Sequence, residues 1–264
     1  MGIVNVTPDS FSDGGRYLAT DDAVSHGREL LADGADILDI GGESTRPGAT
    51  RPLVGEELAR VVPVIEELAA DGAIISVDTM RAEVAEAALA AGARIVNDVS
   101  GGLADPRILE VVAGSEAVYV AMHWRAHGAT MQQFTEYAEG VVETVRAELA
   151  DRVRAALEAG ISAERLVVDP GLGFSKTADQ NWELLRGLGR IAGLGLPVLV
   201  GASRKAFLGA LLADAEGRPR PVAERESAHS AVAVHLAQAG VWCMRVHDVR
   251  ATRDALAVVE RLSR

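Results

Sequence analysis

Along the chain, short apolar runs alternate with longer stretches in which apolar residues recur at steps of three and four. Eight runs each stop at a polar or charged residue. The first four are 2–6 near Asn5, 37–41 running into Glu43, Thr45 and Arg46, 74–77 at Asp78, and 95–96 at Asn97 and Asp98. The others are 118–122 at His123, 166–168 at Asp169, 198–202 at Ser203, Arg204 and Lys205, and 243–246 at His247 and Asp248. Short apolar runs bounded by polar residues read as strands, and strands alternating with helices indicate a parallel sheet. Eight such units in about 250 residues predict an α/β fold, a (β/α)8 TIM barrel, with its chemistry where the strands end. The polar stops are therefore expected to converge on one mouth. Residues 1–264 are expected to form a single domain, because no linker divides them.

The helical stretches follow from their period. Val142, Val145, Leu149, Val153 and Leu157 form one apolar face, Leu58, Val61, Val62, Ile65 and Leu68 another, and Leu256, Val259 and Leu262 close the chain. Gly34, Gly72, Gly92 and Gly160 each precede the next strand and predict left-handed helix stops. Three stretches break the pattern. Residues 7–20 and 41–55, rich in Gly, Pro, Ser and Asp, read as long loops on the catalytic face, where such loops tend to be functional. The polar segment 213–225 reads as a surface excursion interrupting the seventh helical layer. A strand beginning at the first residues predicts a short or frayed first strand.

Composition narrows the classes. The chain is 48% hydrophobic and 24% charged, as in an ordinary soluble globule. It has neither an apolar run of membrane-spanning length nor the basic and apolar regions of a signal peptide, so no membrane partner is expected. Its one cysteine, Cys243, rules out an internal disulfide, suits a cytoplasmic protein, and reads as a buried structural thiol low in the barrel. A net charge of −12 argues against nucleic acid and makes a basic cluster at the mouth more telling. Arg46, Arg204, Lys205, Arg245 and His247 all fall at strand ends, which suggests a specific anionic ligand.

Asp78, Asn97 and Asp169 end three strands. A buried carboxylate is costly unless bonded, and two carboxylates plus an amide suit a planar heterocycle with adjacent N–H donors and ring acceptors. Bonds to neighbouring loops would explain any one of the three more readily than all of them. Lys205 opens a helix and reads as a Schiff-base nucleophile, an anion clamp or a surface lysine; the helix start favours the clamp. Arg245 and His247 share one face of a strand and suit a pyrophosphate grip. Asn5 offers a neutral oxygen to magnesium already held by phosphates. No CxxC, HExxH, P-loop or GxGxxG pattern follows a strand.

These same stretches carry a family resemblance. Residues 2–15 (GIVNVTPDSFSDGG) and 41–48 (GGESTRPG) resemble the two signature loops of dihydropteroate synthases. DPGLGF at 169–174, GASRK at 201–205 and RVHD at 245–248 are similar to the family's later motifs, in the same order over essentially the whole chain. The resemblance looks strongest to actinobacterial members. It implies condensation of 6-hydroxymethyl-7,8-dihydropterin diphosphate with p-aminobenzoate to 7,8-dihydropteroate and pyrophosphate, with Mg2+, by an SN1-like path. By similarity, Asp78, Asn97, Asp169 and Lys205 bind the pterin, and Met122, Phe174 and Gly201 line its pocket. Asn5, Thr45, Arg46, Arg245 and His247 take the diphosphate, with the magnesium on Asn5. Phe11, Thr45, Pro47, Ser203 and Lys205 build the p-aminobenzoate site, in part from mobile loops. The resemblance gives Asp13, Arg46 and Lys205 catalytic roles and implies a cytoplasmic homodimer, joined near its C-terminal helices, that sulfonamides inhibit. One departure is Ala206, where relatives often carry Ser or Arg; it leaves backbone N–H groups to hold the benzoate carboxylate.

Three rival readings differ in testable ways. A corrinoid-type pterin-binding methyltransferase domain would not need the Ser-Arg-Lys and Arg-Val-His groups. A Schiff-base aldolase would be trapped by borohydride with a carbonyl substrate. An inactive pterin-binding paralogue would lack part of the motif set.

Overall fold

In a computed structural model the chain is described over residues 1–7, 16–43, 51–127 and 130–264, with backbone only at 16–19. Strands and helices alternate in the order β1 (Gly2–Asn5), α1 (Arg16–Ala32), β2 (Leu38–Gly41), α2 (Val54–Ala70), β3 (Ile75–Asp78), α3 (Ala82–Ala90), β4 (Ile95–Asp98) and α4 (Arg107–Ala113). There follow β5 (Val118–Met122), α5 (Val141–Glu158), β6 (Leu166–Asp169), α6 (Ala178–Arg186), α7 (Leu188–Ala192), β7 (Leu199–Val200), α8 (Ala206–Leu211), α9 (Glu226–Gln238), β8 (Cys243–Met244) and α10 (Val249–Leu262).

All pairings are parallel. β1 to β6 form one ladder in chain order and β7 pairs with β8. Two single bridges, Val168 to Val198 and Gly2 to Val246, join the two sheets and close the barrel. The closing strand β1 is not frayed. It pairs with β2 along its length, and Ile3 N–H donates to Val246 O at 3.0 Å. The Met1 amine donates to Met244 O at 3.0 Å.

The strands are mostly apolar up to their C-terminal ends, with Asp39 and Ser76 the exceptions, because both faces are buried. Val4, Leu38, Ile40, Ile75, Val77, Val96, Tyr119 and Val168 point outward into the layer shared with the helices. Met1, Ile95, Val120, Val167, Leu199 and Cys243 point inward and fill the floor of the barrel. Cys243 is thus the buried thiol expected, and burial raises its pKa. The helix expectations hold in part: Val145 and Leu149 of α5 and Val61, Ile65 and Leu68 of α2 are fully buried, whereas Leu157 and Leu262, at the ends of their helices, are exposed. Gly34, Gly72, Gly92 and Gly160 all have positive φ, between 88° and 112°.

Two boundaries differ. Helix α1 starts at Arg16 and α2 at Val54, inside the segments expected to be loops. The excursion after α8 is exposed and returns through a short 3-10 turn, Val222–Glu224, into α9.

Candidate functional site at the barrel mouth

Alternation decides which polar strand ends reach the mouth. In β4, Asn97 points inward and Asp98 outward, although both are buried. Asp98 accepts from Ser100 N–H (2.8 Å), Ser100 Oγ (2.7 Å), Gly102 N–H (2.7 Å) and Tyr119 Oη (2.8 Å), so it braces the turn after its strand. His123 likewise bonds Glu148 and Lys176 behind the barrel wall. Arg204, at φ +60°, turns its side chain to Glu226 at 2.6 Å. The expectation that all polar stops converge on the mouth therefore fails for these three, and for Asp248, which accepts from Ala251 N–H at the start of α10. Successive strand residues face opposite ways, and a run of polar residues cannot all point inward.

The inward set forms one connected group. Arg245 lies between two carboxylates: Nε donates to Asp39 Oδ2 at 2.5 Å and Nη2 to Asp78 Oδ2 at 2.7 Å. Asn97 Nδ2 also donates to Asp39 Oδ2, at 3.1 Å. Asp39 is fully buried, and its Oδ1 has no hydrogen-bond partner among the described residues. Asp39 was not singled out from the sequence; a carboxylate inside an otherwise apolar strand run was the available signal. Gly41 sits in register between Asn5 and Asp78, and a Cβ there would lie in ordinary contact with Asp78. The backbone of Gly201 lies beside Arg245.

On the far wall, Asp169 Oδ1 accepts from Gly171 N–H at 2.7 Å. Lys205, at the start of α8, donates to Leu172 O and lies 4.6 Å from the centre of the Phe174 ring. Met122 packs with Met80 and Val99, flanked by Trp124 and Phe174, as an apolar wall. Met80 and Val99 follow their strand ends by two residues and by one, and were not anticipated. Ser203 accepts from His247 N–H at 3.2 Å and pairs with His247 Nδ1 at 3.0 Å, joining the β7 and β8 ends. Phe11, Asp13, Thr45, Arg46 and Pro47 lie outside the described residues.

Burial sets the electrostatics. It pushes the Asp78 carboxyl up to about 7, against the pull of Arg245 and with help from Asp39. Asp169 is also raised by burial, opposed by Lys205 and by the Gly171 N–H. Burial brings Lys205 down to about 8, opposed by Asp169. Arg245 is held charged: burial opposes the charge, but Asp39 and Asp78 outweigh it. The pocket thus presents carboxylate and amide acceptors on its floor, one cation at each side and an apolar wall, a fit for a flat, donor-rich heterocycle.

Such a barrel, with such a floor, defines a pterin-binding enzyme, and the family described as pterin binding enzyme matches residues 1–247. A dihydropteroate synthase of Mycobacterium leprae is 53% identical over 98% of this chain and 91% of its own length. The solved Xanthomonas albilineans dihydropteroate synthase with 4-aminobenzoic acid superposes with a TM-score of 0.90 at 46% identity, covering 100% of this chain and 92% of that one. The Yersinia pestis dihydropteroate synthase in a sulfonamide drug complex gives 0.91 at 39%, covering 100% and 93%. The chain belongs to the dihydropteroate synthases, transferases of folate biosynthesis.

Proposed function

We propose that this mouth binds the pterin of 6-hydroxymethyl-7,8-dihydropterin diphosphate and joins it to p-aminobenzoate. The observation that carries the reading is the buried acceptor set of Asp39, Asp78, Asn97 and Asp169 beside Lys205. The carboxylates accept the pterin's amino and ring N–H groups, Asn97 donates and accepts, and Lys205 donates to a pterin acceptor. Met122 and Phe174 cover the ring face, and the bare Gly201 leaves room beside it. Asn5, Arg245 and His247, with Thr45 and Arg46, take the diphosphate. Ser203, Lys205, Phe11, Thr45 and Pro47 form the p-aminobenzoate site, which a sulfonamide would share.

In the reaction the bond from the exocyclic carbon to the diphosphate oxygen breaks with its electron pair leaving on oxygen. The dihydropterin ring feeds density into the carbon, and the arylamine nitrogen then bonds to it and sheds a proton. Arg245 and His247 stabilise the departing charge, Asp13 the cation. The arylamine is neutral near pH 7, so no strong base is needed. The described residues contain no group of three His, Cys, Asp or Glu side chains that could cage a metal. The set fits magnesium carried by the diphosphate, with Asn5 as one neutral oxygen ligand. Bound there, the ion would neutralise the leaving group. Two copies are proposed to pair through α9 and α10, where Val258 and Leu262 of α10 are 57% and 81% exposed.

The test is a coupled assay that follows pyrophosphate release from dihydropterin diphosphate and p-aminobenzoate. Turnover that requires both substrates is expected. Release without p-aminobenzoate, or none with both, would refute the reading.

A further inference from the structure

Behind the mouth, five side chains form a chain of contacts that the reaction does not use. Lys176 is 3% exposed and follows the loop after β6. Its Nζ lies within hydrogen-bond distance of His123 Nδ1 at 2.9 Å, Gly171 O at 3.0 Å and Phe174 O at 2.9 Å, and burial, with the charge of Lys205, lowers its pKa well below the usual lysine value. His123 can accept at Nδ1 only as a neutral ring, which leaves Nε2–H to donate to Glu148 Oε2 at 2.7 Å. Burial and the neighbouring Lys176 agree with this, lowering His123 to about 4. Glu148 in turn takes both arms of Arg125, at 3.1 and 2.6 Å, and Arg125 lies 4.0 Å over the Tyr137 ring. Tyr137 Oη donates to Ser175 O at 2.9 Å.

Lys176 and Tyr137 thus hold two successive carbonyls, those of Phe174 and Ser175. Ser175 sits at φ +51°, a left-handed backbone that a non-glycine residue holds only when its surroundings impose it. Gly171 and Gly173 are also left-handed, at +67° and +80°. A Cβ on Gly171 would run into the His123 carbonyl, so the loop is pressed against β5. The loop held in this way supplies three things to the mouth. Gly171 N–H orients Asp169, Leu172 O receives Lys205, and the Phe174 ring faces the Lys205 ammonium.

We propose that Lys176, set by the His123–Glu148–Arg125 row, is a positioning residue for pterin binding: it fixes the 171–174 loop that aims Asp169, Lys205 and Phe174, without touching substrate. The proposal rests on the assignment of those three residues to the pterin. Removing the Lys176 Nζ group while keeping the stem leaves two loop carbonyls and the His123 ring without their partner, and the loop loses its register on Asp169.

The experiment is calorimetric titration of 6-hydroxymethylpterin into wild type, Lys176→Met and His123→Leu, well below their melting temperatures. Lys176→Met is expected to raise the pterin Kd at least tenfold, and His123→Leu, which removes one of three acceptors, at least threefold. A role confined to stability would lower the melting temperature and leave both constants within twofold, which overturns the proposal. If Lys176→Met does not fold, His123→Leu decides alone by the same limits. Asp169→Asn separates the two levels. Unchanged pterin binding in that variant defeats the assignment of the site. Lost binding there with normal binding in the Lys176 and His123 variants defeats this inference alone.

Discussion

At the scale of single residues, the mouth depends on charges kept where burial disfavours them. Asp169→Asn turns a carboxylate acceptor into an amide that must present a donor to one of its partners. A lost charge-assisted bond costs roughly 1.5–3 kcal/mol. Calorimetry should therefore show the pterin Kd rising at least tenfold, and an unchanged Kd would remove Asp169 from the floor. The pH dependence follows from Asp78 and Lys205. Asp78 is raised from 3.8 to about 7, so the folded state holds its proton more tightly than the unfolded chain. Its contribution to stability is present below the unfolded value and is lost as pH climbs through about 7. Pterin binding runs the other way, because only the ionised carboxylate accepts two N–H bonds. Lys205, lowered from 10.5 to about 8, loses its charge above that pH. Steady-state kcat/KM for the pterin substrate is expected to rise through about 7 and fall beyond about 8. A flat profile from pH 6 to 9 would contradict both assignments.

At the scale of elements, β4 places Asn97 and Asp98 side by side in sequence and on opposite sides of the barrel wall. Their variants should separate cleanly. Asp98→Asn leaves at least one of four buried donors unpaired, at roughly 1–3 kcal/mol. Its melting temperature is expected to drop while pterin affinity stays within twofold. Asn97→Ala should weaken pterin binding with a much smaller loss of stability. Thermal melts and calorimetry on the same preparations check both, and a matched loss of affinity in the two variants would mean that the facing is misread. This pair also shows what the sequence could convey. Strand positions, helix faces and glycine stops were legible because each follows from a short-range period. The inward direction of each polar stop was not, since a shift of one residue reverses it. Asp39 stood out as a carboxylate in an apolar run, but its role was not legible: its partners Asn97 and Arg245 are remote in sequence and meet only when the sheet closes. Lys176 stayed unread, and His123 was read toward the mouth, because their contact spans β5 and the loop after β6. No local pattern encodes that pairing.

At the scale of the whole molecule, the chain closes on itself through the Gly2–Val246 bridge and the Met1 amine. That closure leaves α10 as an outer helix with Val258 and Leu262 one turn apart and exposed. Placing Glu at both positions should shift a dimer to monomers in sedimentation velocity without lowering the melting temperature of the barrel. An unchanged oligomer would place the interface on another face. No helix among the described residues is long and apolar enough to cross a membrane.

The bond from Arg245 to Asp39 and Asp78 has a consequence for how the protein is made. The two acids leave the ribosome first, and the arginine that neutralises them follows 206 and 167 residues later. Until β8 emerges, a nascent barrel would have to bury two carboxylates without their cation, which is strongly unfavourable. The ligand pocket should then form only after β8 and Arg245 have emerged. Ribosome-bound chains halted before Arg245 are expected to capture no pterin, so binding reports that the closing strand has been made.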